Sequence, residues 1–436
     1  MDTTALMADS NWPLWRKLIF RFLFIYFAFT MAPWTWLDAI PGVGYATEFY
    51  YSFMNWSVEF TNKHFFHVRD VLIQPNGSGD TSWAWAQIWM LICFALIGCV
   101  VWSILDRRRK NYVALNYWLC LFTRYYVAMV SFSYGILKLF ALQMYFPNLS
   151  QLATPLGDFL PMRLSWMFIG YSAPYQIFSG VMETAVGLLL LYRRTATFGA
   201  LLAAAVFTNV MLLNLSYDIP VKLYSTHIVI LSLYLIANEY HRLLAFFVLN
   251  KQAKPSSLYN FPLQKKWMRI SRIILKLLFI VLAVGLQFYN MTEYYKQLHP
   301  VAKKQPIQQG VYAVNKFVVN KDTIASSYAD SLRWQDVIFD QANLGSIKTS
   351  DTAYRQRYRR AYFIYSFDST GNNLYFKKFQ GDSLSIASFR FEMPDSNTVL
   401  LWGIQHNDSL FVELKNTNRH FQLAEKQFHW LSEANR

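Results

Sequence analysis

The 436-residue sequence is poor in cysteine and poor in negative charge. Its three cysteines, Cys93, Cys99 and Cys120, all fall in apolar stretches, and none forms a CxxC pair. A redox dithiol, a zinc site and a disulfide framework therefore lack their ligands. Asp and Glu number 26 against 41 Lys and Arg, and charged residues make up only 15% of the chain. The resulting net charge of +15 is not gathered on one surface; most basic residues flank apolar segments. That pattern signals membrane topology, so no nucleic-acid partner is expected. Walker and dinucleotide-binding glycine motifs are missing. Histidines are few, and only His227 sits well inside an apolar stretch, with His241 near the end of the same one. A bis-histidine haem is therefore not expected. His64 and His67, spaced i, i+3 beside Arg69 and Asp70, have no further placed ligands, so no metal site and no cofactor is assigned.

What the chain has is apolar length: 54% of its residues are hydrophobic and 18% aromatic. Runs of roughly 17–25 apolar residues are membrane-span candidates. They occur at 18–36, 83–105, 114–140, 174–192, 196–216, 222–247 and 268–289. The start of the chain shows no small-residue cleavage site after a short apolar core, so the first run is expected to be a retained helix. Basic clusters alternate with the runs. Arg16, Lys17 and Arg21 precede the first, "DRRRK" at 106–110 follows the second, and "YRR" at 192–194 separates the fourth and fifth. Arg242, Lys251, Lys254, Lys265, Lys266, Arg269 and Arg272 lie between the last two. With seven crossings every cluster is cytoplasmic, the N-terminus is inside, and everything after about residue 290 is periplasmic.

The long outer loop 37–82 contains an aromatic stretch expected to form an interfacial or re-entrant helix, and ends in the turn sequence "NGSGDT" at 76–81. That sequence reads as a tight turn or, alternatively, as a backbone cradle for an anion. Asn76 also opens a glycosylation-acceptor pattern. After about residue 300, segments such as "VYAVNKFVVN", "AYFIYSFD", "TVLLWGIQ", "SLFVELKN" and "HFQLAEKQFHWL" alternate apolar and polar residues between turn residues. This predicts roughly seven to nine short antiparallel strands, a small sandwich or barrel. The fold class is thus a polytopic α-helical membrane bundle of about seven helices, followed by a small antiparallel β domain. Four regions follow: 1–111, two helices with a long outer loop; 112–250, a four-helix core; 251–299, a linker and the last helix; and 300–436, the β domain.

A charge at bilayer depth costs at least about 2.5–3.5 kcal/mol on insertion scales. Glu183 nevertheless lies inside "GVMETAVGLLLL", on a face shared with Gly180, Thr184 and Gly187, small residues that let a second helix approach. The 114–140 run offers counter-charges, Arg124 and Lys138, on a face with Ala128, Ser131 and Gly135. Asn209 and His227 supply polar groups on the 196–216 and 222–247 runs. Two readings stand. In one, these residues are structural: snorkelling cations, hydrogen-bond glue and an ion pair. In the other, Arg124, Lys138, Glu183, Asn209 and His227 surround the head group of an amphipathic ligand.

"YGILKLF" at 134–140, "GYSAPYQIFSGVMETAVGLLLLYRRTATFGALLAA" at 170–204 and "NVMLLNLSYDIPVKLYSTHIVILSLYLI" at 209–236 resemble DoxX-family membrane proteins. These are four-helix proteins named after a small subunit of a thiosulfate:quinone oxidoreductase. Gly135 and Lys138 match the pattern that ends the family's first helix, and Glu183 matches the glutamate that opens its second. The larger version found in Bacteroidetes, which carries a C-terminal extension, also has "NGSGDT" and "SYDIPVKL", here at 76–81 and 216–223. The resemblance covers 112–250 well and 15–110 more loosely, and leaves the β domain outside. The chain is similar, more distantly, to the membrane domain of vitamin K-dependent carboxylase-like proteins. It shows no carboxylase lysine motif, so that activity is not carried over.

The resemblance implies a membrane subunit that binds a quinone or lipid, working beside a redox protein partner that holds the cofactor. No reaction of its own is assigned. The alternative is a non-catalytic envelope scaffold whose β domain recruits an extracytoplasmic partner. A transporter is a third reading, without an inverted repeat to support it.

Overall fold

The computed structural model describes residues 11–39, 42, 44–253, 264–298, 305–326, 333–368, 372–425, 428–431 and 433. Lys254 of the basic linker lies outside the described residues. The helices, in chain order, are α1 (Leu14–Met31), α2 (Tyr45–Thr61), α3 (Ser82–Leu105), α4 (Val113–Leu139), the single turn α5 (Leu149–Leu152), α6 (Pro161–Tyr171), α7 (Ala173–Leu191), α8 (Ala196–Ser216), α9 (Lys222–Ala237), α10 (Tyr240–Val248) and α11 (Lys266–Leu298). The chain divides into two compact units. The first is Met1–Gln143 with Pro174–Glu293; the second is Met144–Ala173 with Tyr294–Arg436.

The first unit is helical, and its surface is apolar where a soluble protein's would be polar. On α3, Leu96, Ile97, Val100 and Ile104 are all exposed, while Ala86, Met90, Leu91 and Ala95 are buried. An apolar face of this extent suits lipid rather than water. Among the described residues five helices are long and apolar enough to cross a membrane: the α1 region, α3, α7, α8 and α11. The bent pair α9–α10 makes six at most. This is fewer than the seven expected, for two reasons. The 222–247 run is not one helix. It bends by 73° between Ala237 and Tyr240, where Asn238 turns its amide back onto the Tyr234 carbonyl and Glu239 pairs with Arg242. The 114–140 run does form a helix, α4, of 27 residues, but Arg124, Lys138 and four tyrosines dilute its apolar character.

The second unit is built on an antiparallel sheet. Its strands are β1 (Gly310–Val319), β2 (Asp322–Thr323), β3 (Asp336–Phe339), β4 (Leu344–Ile347), β5 (Arg355–Arg357), β6 (Arg360–Phe367), β7 (Asn373–Lys377), β8 (Ala387–Glu392), β9 (Thr398–Gln405) and β10 (Asp408–Asn416). The order β1-β3-β4-β6-β7-β8-β9-β10 closes on itself through β10 and β1, giving an eight-stranded barrel. Closure removes the sheet edges that an open sandwich would expose. Alternate residues point inward: Ala361, Phe363 and Tyr365 on β6, Leu374 and Phe376 on β7, Val399 and Leu401 on β9 are all buried. Phe363 and Phe376 stack at 4.0 Å between ring centroids, and Trp334 packs edge-on against Phe389. A barrel of this size is filled by such side chains. Burial, and then the Asp340 carboxylate, push the Tyr365 hydroxyl up to about 12. It stays neutral and donates to the Asp340 carbonyl at 3.2 Å.

Two details differ from the sequence reading. "HFQLAEKQFHWL" forms a short helix at Gln422–Glu425 rather than a strand, since the closed barrel leaves no edge for it to join. The segment 144–173, which falls inside the 112–250 region, belongs to the barrel unit. Its α5 turn is anchored there: the Ser150 N–H donates to Asp340 Oδ2 at 3.1 Å, and the hydroxyls of Ser150 and Ser346 meet at 2.9 Å.

Candidate functional site in the helical unit

The site begins with glycine. On α4 and α7, Gly135 and Gly180 face each other so closely that a Cβ on Gly180 would sit 2.7 Å from the Gly135 carbonyl oxygen and 2.8 Å from the Leu139 nitrogen. Any larger residue would separate the helices. The close crossing buries the charged groups beside it. Lys138 Nζ lies 2.5 Å from Glu183 Oε1, with side chains only 9% and 2% exposed. The second carboxylate oxygen, Glu183 Oε2, is buried with no hydrogen-bond partner among the described residues, and so is the neighbouring Thr184 hydroxyl. Tyr134 sets its ring 5.9 Å from Lys138 Nζ. The pair thus has spare hydrogen-bonding capacity where water is excluded.

The other three expected residues do not join it. Arg124 is fourteen residues before Lys138 on α4, about 21 Å along the axis at 1.5 Å per residue. Its Nε and Nη2 donate to the Leu190 carbonyl at 3.1 and 2.8 Å, and so satisfy the open C-terminal end of α7. His227 donates from Nδ1 to the Leu223 carbonyl at 2.7 Å. In the neutral ring Nε2 then accepts from the Tyr26 hydroxyl at 2.6 Å, tying α9 to α1. Asn209 is exposed on α8. The polar residue of α8 that turns inward is Asn214, which donates to Ser225 Oγ at 3.0 Å. Helical phase separates them: the two positions are five residues apart, so they face different sides.

Several organising polar residues were not among the expected site residues. Arg21 is only 2% exposed. It donates to Tyr112 Oη, to Ser103 Oγ and to the Asp106 carbonyl, and so joins α1 to the α3–α4 connection. Asn116 bridges Tyr234 and Asn238. Asp80 is the most informative. Its carboxylate accepts from the Lys222 and Leu223 N–H groups at 2.8 and 3.0 Å, and the Gly79 N–H donates to the Pro220 carbonyl at 2.8 Å. The "NGSGDT" and "SYDIPVKL" segments therefore meet, and the first caps the helix that follows the second. The turn serves the chain's own helix start. His64 donates to the Phe60 carbonyl at 2.8 Å within its own helical stretch, and His67 ends that stretch in a left-handed conformation, φ 50°.

Two cavities among the described residues lie within the barrel unit. One, about 270 Å³, opens at an end of the barrel between Val319, Trp334, Asp351, His406 and Asp408. There Asp351 Oδ2 accepts from Gln405 Nε2 at 2.5 Å and from His406 Nε2 at 3.0 Å. The other, about 240 Å³, lies on the outer wall.

No known family profile and no solved structure matches the chain. It is similar to the uncharacterized protein YwoB of Bacillus subtilis (strain 168), with 33% identity over 84 residues. That similarity covers 19% of this chain and 54% of YwoB, so the chain spans about half the length of the curated relative it matches.

Proposed function

We propose that this chain is a DoxX-like protein of the bacterial inner membrane whose helical unit binds the head group of a quinone or similar lipid. The observation that carries the reading is the buried Lys138–Glu183 pair with its unpartnered carboxylate oxygen. Ionisable groups at membrane depth mark ligand sites or proton paths by default. A quinol hydroxyl or a lipid hydroxyl can donate to Glu183 Oε2, and a quinone carbonyl can accept from Lys138 Nζ. The protein then serves as a membrane subunit, and a redox protein partner carries the electrons.

The proposed topology has the N-terminus and the basic clusters in the cytoplasm and the barrel in the periplasm. Two observations support it. The two segments of the barrel unit must share one side of the membrane, because one compact unit cannot straddle it. Between them the chain runs through α7, α8, the bent pair and α11, an even number of passages. The topology also takes α4 as a crossing, and its 27 residues reach about 40 Å.

The test is mass spectrometry of organic extracts from mildly purified wild type, Glu183→Gln and the double variant Lys138→Met/Glu183→Leu, at matched folded yield. The double variant removes both charges while keeping apolar bulk, so it separates loss of ligand from loss of fold. The expected result is a quinone or defined lipid enriched in wild type and lost from both variants. Equal extracts from all three would sink the ligand reading. The second reading, an envelope scaffold, would then stand on the barrel, which has a complete aromatic core of its own.

A further inference from the structure

The cavity on the barrel's outer wall differs in chemistry from the one at the barrel end. Arg355, Arg357 and Lys378 line it, with Tyr358, Tyr362 and Gln151. Among the described residues no acidic side chain lines it. The barrel-end cavity has two aspartates instead, Asp351 and Asp408.

Two of the three basic residues, Arg355 and Arg357, come from one tight hairpin, and Lys378 follows β7. In "YRQRYRRAY", Tyr358 and Arg359 take left-handed conformations, φ 52° and 54°, which is the two-residue turn that reverses β5 into β6. The turn sorts four arginines into two pairs. Arg359 and Arg360 are neutralised, by Asp158 at 3.2 Å and Asp336 at 2.5 Å. Arg355 and Arg357 rest over aromatic rings, Phe379 at 5.8 Å and Tyr358 at 4.8 Å. They have no carboxylate within ion-pair distance among the described residues, and neither has Lys378. Aromatic support holds a guanidinium in place while leaving its N–H groups free to donate.

A second observation points inward from the cavity wall. The Tyr362 hydroxyl is buried and has no hydrogen-bond partner among the described residues. Ala361 and Phe363 on either side of it face the barrel interior, so Tyr362 faces the outer wall, where it lines the cavity. Burial pushes its phenol up, so it remains a neutral donor. A buried unmade hydrogen bond is costly, and an acceptor in the cavity would remove the cost. Three cations, a phenol donor and no carboxylate suit an oxyanion with several acceptor oxygens.

We infer that the cavity bounded by Arg355, Arg357, Lys378, Tyr362 and the Asn148–Gln151 turn is a binding site for a phosphate group. Two sources offer that chemistry: an anionic phospholipid head group and a soluble phosphate. The site is separate from the Lys138–Glu183 pair and stands whether or not that pair binds a ligand.

The experiment is calorimetric titration of the full chain in uncharged detergent with inorganic phosphate and, separately, with dihexanoyl phosphatidylglycerol. The variants are Arg355→Ala/Arg357→Ala, Lys378→Ala and Tyr362→Phe, each checked for an unchanged unfolding midpoint. Arg390→Ala, an exposed arginine elsewhere on the barrel, is the charge control. Saturable binding of either probe is expected, weakened at least about tenfold by the double variant, since it removes charge-assisted hydrogen bonds to the anion. Tyr362→Phe should weaken it less, and Arg390→Ala should leave it unchanged. Binding of both probes would support a site for phosphate as such; binding of the lipid alone would support a head-group site. The inference fails if wild type binds neither probe, or if the double variant keeps its fold and binds as wild type does.

Discussion

Lys138→Met is expected to destabilise the helical unit by about 3–5 kcal/mol, the cost of leaving one member of a buried ion pair uncompensated. Glu183 is only 1% exposed, and its Oε2 already lacks a partner among the described residues. Removing Nζ therefore leaves the whole carboxylate in an apolar helix crossing. The crossing cannot open to admit water cheaply, because Gly135 and Gly180 hold the backbones in contact. The double variant Lys138→Met/Glu183→Leu is expected to fall within about 1 kcal/mol of wild type, or above it, because desolvation of both ions disappears with their attraction. Unfolding in detergent followed over the four-variant cycle measures the coupling. A single variant as stable as wild type would show that the pair is solvated in solution, and both the cost and the ligand reading would go with it.

Arg360→Met is expected to loosen one sector of the barrel by about 2–3 kcal/mol, the range for charge-assisted hydrogen bonds lost at a partly exposed acceptor. Arg360 is 2% exposed. It binds Asp336 through both terminal nitrogens, at 2.5 and 3.3 Å, and Ser346 Oγ through Nε at 2.9 Å. One guanidinium thereby joins β3, β4 and β6, and Ser346 passes the connection to Ser150. Hydrogen exchange read peptide by peptide should accelerate about thirty- to a hundred-and-fifty-fold across 336–347 and 360–367. Strands β8–β10, which Arg360 does not touch, should change little. Uniform acceleration around the barrel would mean that it opens as one unit, against this local account.

Much of the architecture was legible because two periodicities differ. Long apolar runs flanked by basic residues read as membrane-span candidates, and most of the alternating segments after residue 300 read as half-buried strands. The Lys138–Glu183 pair was legible for a related reason. A carboxylate among leucines needs a counter-charge, and small residues on its face showed where a helix could bring one. For Asn209 and Arg124 periodicity gives a face but not a partner. Asn209 lies on the outward side of α8, and Arg124 found the end of α7 rather than its middle. Asp80 looked like part of a turn. Its role as the cap of α9 depends on a contact across 142 positions of sequence.

By itself, the sequence determined that the chain is a helical membrane protein with a β domain, and that an acid inside an apolar helix has to be neutralised by a base or a proton. Those are local facts of hydrophobicity and charge, set by what each segment can bury. The tertiary structure decided the rest: which helices run straight, that the strands close into a barrel, and that segment 144–173 joins it. Barrel closure rests on β1 pairing with β10, where Phe317 lies beside Val412. Such pairings are specified by the sum of many contacts distant in sequence, and no window of residues contains them.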